Sequence, residues 1–135
     1  GAKILSDLGA DVIKIEPLTG DLMRPLPNPF EASQRGKRSL CIDLKSPAGQ
    51  RVAEELVRHA DVVMHNLRPG KAERLGIGYD DLARVRPDVV YCYLPGFGSA
   101  GPRAHLKSFA PLVSGFNALR ATAEVADELR SVSRS

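Results

Sequence analysis

The sequence predicts an α/β fold built on a parallel sheet with helical crossovers. Two observations predict it. Apolar strand-like runs alternate with segments of helical periodicity, in the order strand, helix, strand, short helices, strand. The last run, Val89 to Leu94, is nearly all apolar, as expected for a strand covered on both faces and central in a parallel sheet.

Taken in order, Ala2 to Leu8 reads as the closing turns of a helix, with Ile4, Leu5 and Leu8 apolar and Gly9 as its stop. Asp11 to Glu16 alternates Val12, Ile13 and Ile15 with polar residues and reads as a strand. Pro17 to Gln34 holds four prolines and Gly20, and reads as a long loop of the kind that is often functional. Ser39 to Leu44 is the second strand. Ser46-Pro47 then supplies an N-cap and a proline in the first helical position, opening a helix to about His59. Val52, Ala53, Leu56, Val57 and Ala60 fall on one face of it. Asp61 to His65 is the third strand, followed by short helices at Lys71 to Leu75 and Tyr79 to Val85. Beyond the fourth strand a glycine-rich loop leads to a helix over Phe109 to Leu119. Residues 1–120 are read as one domain and residues 121–135 as a divergent tail, helical or weakly structured. The start at Gly1-Ala2-Lys3, inside a helix and without methionine, and the Ala- and Ser-rich end read as a fragment.

A chain of 135 residues is long enough to bury a sizeable core. Its 43% hydrophobic and 26% charged residues are those of a soluble globular domain. No run of about 18 apolar residues points to a membrane span. Cys41 and Cys92 each lie in an apolar run and are expected as buried free thiols in a reducing, cytoplasmic setting. The net charge of +3 is mild, and with 5% aromatic residues and no Trp there is no stacking platform for nucleic acid. A small polyanion suits the charge equally well.

Ligands of open parallel sheets bind beyond the carboxyl ends of the strands. There the sequence places Glu16, Lys45, Asn66, Arg68 and Arg74, and then Gly96, Gly98, Gly101, Arg103, His105 and Lys107. Positive charge therefore collects from several loops, as a phosphate-bearing ligand requires; solvated loop charges are the alternative. Gly96 to Gly101 matches the dinucleotide fingerprint in spacing, but Pro102 follows at once and no apolar helix face comes after it. A nicotinamide or flavin cofactor is therefore not expected. His59, His65 and His105 stand far apart and none pairs with a cysteine at ligand spacing, so no metal site is expected. No G-x-S-x-G elbow occurs.

More specific is a series of blocks. Leu8-Gly9-Ala10-Asp11-Val12-Ile13-Lys14-Ile15-Glu16-Pro17 is followed by Gly20-Asp21 and Arg24, then by Arg35 to Leu40 and Ile42-Asp43-Leu44-Lys45. Asp61-Val62-Val63, Asn66-Leu67-Arg68-Pro69-Gly70, Glu73-Arg74-Leu75-Gly76, Gly96-Phe97-Gly98 and Gly101-Pro102 complete it. In this order and spacing they resemble the family III CoA-transferases, which include formyl-CoA transferase, carnitine CoA-transferase and the α-methylacyl-CoA racemases. The resemblance covers residue 1 to about residue 119. It implies a Rossmann-like CoA-binding domain, here a truncated portion of the family fold, and homodimers of two interlocked rings. It also implies transfer of CoA between an acyl-CoA and a carboxylic acid, through attack of an aspartate on the thioester. CoA and acyl-CoA enter as substrates, and no prosthetic group is implied.

By the same resemblance, Lys45, Arg74 and Lys107 match CoA-binding cations and Ile42 an apolar adenine-side contact. Asn66 and Leu67 match an Asn-Phe pair that holds the cofactor, with Leu in place of Phe. Salt bridging of Arg74 to Glu73 or Asp80 is the competing structural role. Phe109 stands where racemases carry a catalytic histidine, and Phe cannot exchange a proton. Ala110 stands where many transferases have Asp, and Pro17 where formyl-CoA transferases often have a basic residue. The nucleophilic aspartate is expected about thirty residues beyond Ala110, and the neighbours of Asp127 do not match its block. The expectation is thus a CoA-transferase fragment inactive alone and unable to close an interlocked ring, with no catalytic residue assigned in it. A non-catalytic CoA-binding module is the alternative, and a racemase a more distant one.

Overall fold

The computed structural model describes residues 1–106. They belong to two compact units, one of Gly1–Met64 and Lys71–Cys92, the other of His65–Gly70 and the residues from Tyr93 onward.

The first unit opens with helix α1 (Ala2–Asp7). Gly9 ends it in the left-handed region, at φ 97°. The Gly9 N–H donates to the Ser6 carbonyl and the Ala10 N–H to the Leu5 carbonyl, each at 3.0 Å, which satisfies carbonyls the helix would otherwise leave open. Strand β1 (Val12–Glu16) follows and pairs in parallel with β2 (Lys37–Cys41), from Val12 opposite Lys37 to Glu16 opposite Cys41.

The connection between them is not the continuous loop its prolines suggest. Residues Pro27–Gln34 form helix α2. Two of the four prolines, Pro27 and Pro29, stand in its first turn, where a backbone N–H has no partner within the helix and its loss costs nothing. The second strand also starts and ends earlier than expected. Its first residues are Lys37 and Arg38, with Arg38 held by the Asp11 carboxylate, and a turn at Asp43 stops it short of Leu44.

Helix α3 (Pro47–Arg58) buries Gly49, Ala53 and Val57, spaced one turn apart. Leu56 and Ala60 are half-buried, whereas Val52 is exposed. This helix packs on α5 (Tyr79–Val85), whose Leu82 is the most deeply buried large side chain. Helix α4 (Lys71–Arg74) precedes α5 and buries Ala72. Val89 completes the small apolar core.

Strands β3 (Val62–His65) and β4 (Val90–Tyr93) form a second pair. The Val90 N–H donates to the Asp61 carbonyl at 2.9 Å and the Leu94 N–H to the His65 carbonyl at 3.0 Å. Both strands advance together between these bonds, so they run parallel. The described residues thus give two parallel pairs rather than one continuous sheet. The fourth strand is not central among them, and Val90 is 59% exposed. The cysteine expectation also changes. Cys41 closes β2 and is exposed, and Cys92 is half-buried; both are free thiols. The expected helix at Phe109 to Leu119, Ala110, Asp127 and the tail 121–135 lie outside the described residues. Among the described residues no helix is long and apolar enough to cross a membrane.

Candidate functional site

Three of the predicted residues, Ile42, Lys45 and Arg74, belong to the first unit, on two tightly built turns. The first turn joins β2 to α3. Its Asp43 folds back on itself, one carboxylate oxygen accepting the Lys45 N–H at 3.0 Å. The Asp43 carbonyl accepts both the Ser46 N–H at 3.0 Å and the Ser46 hydroxyl at 2.8 Å. The same hydroxyl accepts the Gly49 N–H at 3.0 Å and so caps α3. Gly49 is required here by space: a Cβ on it would lie 2.0 Å from the Asp43 carbonyl oxygen. The result is a rigid turn that holds Lys45 out toward solvent, with no ion-pair partner among the described residues. Ile42, just before the turn, is half-buried and anchored by its N–H to the Glu16 carbonyl at 3.0 Å. Removing the cap with Ser46→Ala is expected to cost about 1 kcal/mol, read from urea unfolding.

The second turn ends α4. Gly76 sits at φ 70°. Its N–H donates to the Glu73 carbonyl and that of Ile77 to the Ala72 carbonyl, both at 3.0 Å. This is the same closure as at Gly9, and it gives the glycine of the Glu73-Arg74-Leu75-Gly76 block a physical reason. Arg74 is exposed and makes no ion pair with Glu73 or Asp80 among the described residues, so the competing structural role is not realised. Gln50, in the first turn of α3, donates its side-chain amide to the Leu75 carbonyl at 3.2 Å. That bond ties the helix that follows Lys45 to the residue next to Arg74.

The first unit also holds a charged cluster that sequence reasoning passed over. Glu16, the last residue of β1, is 2% exposed. Arg24 binds both its carboxylate oxygens, through Nε at 3.1 Å and Nη2 at 2.9 and 3.1 Å. Ser39 donates its hydroxyl at 2.7 Å and Asp21 its backbone N–H at 2.9 Å. Lys14 pairs with Asp21 and lies 3.6 Å from Glu16, and Arg24 also lies 4.9 Å from the centre of the Phe30 ring. Burial pushes the Glu16 carboxyl up, but the hydrogen bonds from Ser39 and Arg24 and the charges of Lys14 and Arg24 outweigh it and hold it below its ordinary 4.5. The cluster shapes the loop that leaves β1. In the sequence its members stand within the blocks quoted above, and Lys14 and Glu16 share one face of a strand, but nothing there pairs them.

Asn66 and Leu67 belong to the second unit. Their loop begins at His65, whose Nδ1 accepts the Leu67 N–H at 3.2 Å and whose ring stacks on Tyr93 at 4.8 Å between centroids. Asn66 and Arg68 are exposed and Leu67 is half-buried. Lys107 lies outside the described residues. The glycine-rich stretch from Gly96 to Gly101 runs through bends and turns, and no helix follows it among the described residues. It therefore lacks the helix N-terminus on which the dinucleotide fingerprint depends. No group of three His, Cys, Asp or Glu side chains that could hold a metal ion occurs among the described residues.

Comparison with known proteins extends these findings. The model of CoA-transferase family III matches residues 1–128. Succinyl-CoA:glutarate CoA-transferase of Mus musculus is 36% identical over 124 residues, which is 85% of this chain and 28% of that protein. Acetyl-CoA:oxalate CoA-transferase of Acetobacter aceti is 38% identical over 128 residues, 88% of this chain and 33% of that protein. Among solved structures, a CaiB/BaiF family protein from Brucella suis superposes with a TM-score of 0.81 at 35% identity, over 85% of this chain and 34% of that one. The chain thus spans about a third of the length of the curated relatives it matches. With the family pattern running through nearly all of it, the chain belongs to CoA-transferase family III.

Proposed function

We propose that this chain is the CoA-holding part of an enzyme that moves CoA between an acyl-CoA and a carboxylic acid. The observation that carries the proposal is the family match across residues 1–128, with relatives whose names are those of CoA-transferases acting on succinyl-CoA or acetyl-CoA. In this reading Lys45 and Arg74 meet the phosphates of CoA, Arg74 with a fork suited to two oxygens at once. Ile42 lies against the adenine side, Asn66 and Leu67 hold the cofactor, and Lys107 adds a further cation. Two features support those roles. Lys45 and Arg74 are exposed and form no ion pair among the described residues, and each stands at a turn made rigid by a glycine, Gly49 or Gly76. The free thiols of Cys41 and Cys92 suit a reducing, cytoplasmic setting. Residues 1–120 act as a Rossmann-like CoA-binding domain within an enzyme that forms interlocked homodimers.

A second reading, a CoA-binding module without catalysis, is favoured by one observation, Ala110 standing where many transferases have Asp. On that reading the chain is expected to bind CoA yet to turn over no acyl-CoA. The check is thioester exchange between succinyl-CoA and a labelled dicarboxylate. Turnover above a no-enzyme control contradicts the expectation for the isolated chain. Protein made from the whole reading frame is expected to exchange label; binding of CoA without exchange there selects the module instead.

A further inference from the structure

We propose that the hydroxyl of Tyr93 is a ligand-binding group that takes a carbonyl oxygen of the CoA thioester. The inference rests on the reading that the loop of Asn66 and Leu67 holds that substrate. Tyr93 is the last residue of β4, at the carboxyl end where ligands of parallel strands bind. Its ring stacks on His65, with planes inclined by only 21°. The His65 ring is itself fixed by the Leu67 N–H on Nδ1 at 3.2 Å, so the position of the tyrosine and the shape of the Asn66-Leu67 loop are set by one side chain.

The hydroxyl is what the fold does not account for. It is buried and has no hydrogen-bond partner among the described residues. Phenylalanine would provide the same ring for stacking on His65 without burying an unsatisfied donor. Buried hydroxyls are normally paired, and an exception needs a reason. The other tyrosine of the strand shows the ordinary solution, Tyr91 donating its hydroxyl to the Ile77 carbonyl at 3.1 Å. A phenol is a neutral donor, which suits a carbonyl oxygen better than it suits the CoA phosphates, for which the chain offers cations. CoA carries such oxygens on its pantetheine amides, and an acyl-CoA adds the thioester carbonyl.

The test compares wild type with Tyr93→Phe by calorimetry, using CoA and its acetonyl thioether, which keeps a carbonyl and resists hydrolysis. Unliganded thermal midpoints are measured alongside. The expected result is an unliganded midpoint equal to or above that of wild type and binding weakened about tenfold. Loss toward both probes assigns the pantetheine amides; loss toward the acetonyl probe alone assigns the acyl carbonyl. Unchanged binding of both probes overturns the proposal while leaving the CoA reading intact. So does a lowered unliganded midpoint with unchanged affinity, the signature of a structural hydrogen bond. If wild type itself binds neither probe, the CoA reading fails and this inference falls with it.

Discussion

Gly49→Ala is expected to destabilise the protein by about 3 kcal/mol, although helix propensity alone predicts the opposite. Gly49 lies within α3, where exchange for alanine ordinarily favours the helix by up to about 1 kcal/mol. Geometry decides against that gain. The added Cβ would fall 2.0 Å from the carbonyl oxygen of Asp43 and 2.6 Å from its carbon. Both are backbone atoms and cannot swing aside as a flexible side chain would. The β2–α3 turn must open, which strains a well-packed site by about 1–3 kcal/mol. Opening also breaks hydrogen bonds among Asp43, Ser46 and Gly49, each a net contribution of about 1 kcal/mol. Urea unfolding at neutral pH measures the loss, and thermal melting should show a fall of roughly 10 °C or more. Wild-type stability in the variant would show that the turn relaxes freely, and the rigid presentation of Lys45 would no longer hold.

Arg24→Ala is expected to cost about 2–3 kcal/mol, more than an ordinary surface ion pair contributes. The asymmetry lies in exposure. The Arg24 side chain is 48% exposed, whereas that of Glu16 is 1% exposed. Removing the arginine leaves a buried carboxylate with Ser39, Lys14 and the Asp21 N–H but without its two-pronged partner. Arg24→Lys keeps the charge and loses the fork, so an intermediate loss is expected. The same network gives a pH dependence. Because the folded-state carboxyl lies below its ordinary 4.5, its ionisation stabilises the fold fully above that pH. That contribution fades as pH falls through the lower folded value. Melting curves across this acid range should show wild type losing stability more steeply than Glu16→Gln. Parallel pH profiles would remove Glu16 from the account of the loop.

How much of this was legible in the sequence follows from how local each signal is. Helix α5 matches its expected bounds, and α3 falls within a residue of its expected end, because a Ser-Pro start and an apolar stripe act within a few residues. The same locality made Gly9 readable as a stop. Helix α2 was hidden because proline reads as a breaker by composition, while its effect depends on position within the helix. The end of β2 was hidden by apolar Ile42 and Leu44, since an Asx turn at Asp43 overrides hydrophobic continuity. Lys45 and Arg74 were chosen by family resemblance. That neither forms an ion pair among the described residues needed coordinates. The Glu16 cluster was least legible, as the fold of the loop after β1 brings Asp21 and Arg24 back to Lys14 and Glu16, and the register of β1 on β2 adds Ser39.

The proposal is that Lys45 and Arg74, exposed on glycine-braced turns, hold the phosphates of CoA together with Lys107. The most direct test is calorimetric titration of the purified chain with CoA, comparing wild type with Lys45→Ala, Arg74→Ala and Lys107→Ala. The account predicts measurable binding by wild type, weakened about tenfold by each substitution, as loss of one charge-assisted contact implies. Absence of wild-type binding at millimolar CoA, or binding indifferent to all three substitutions, would contradict it.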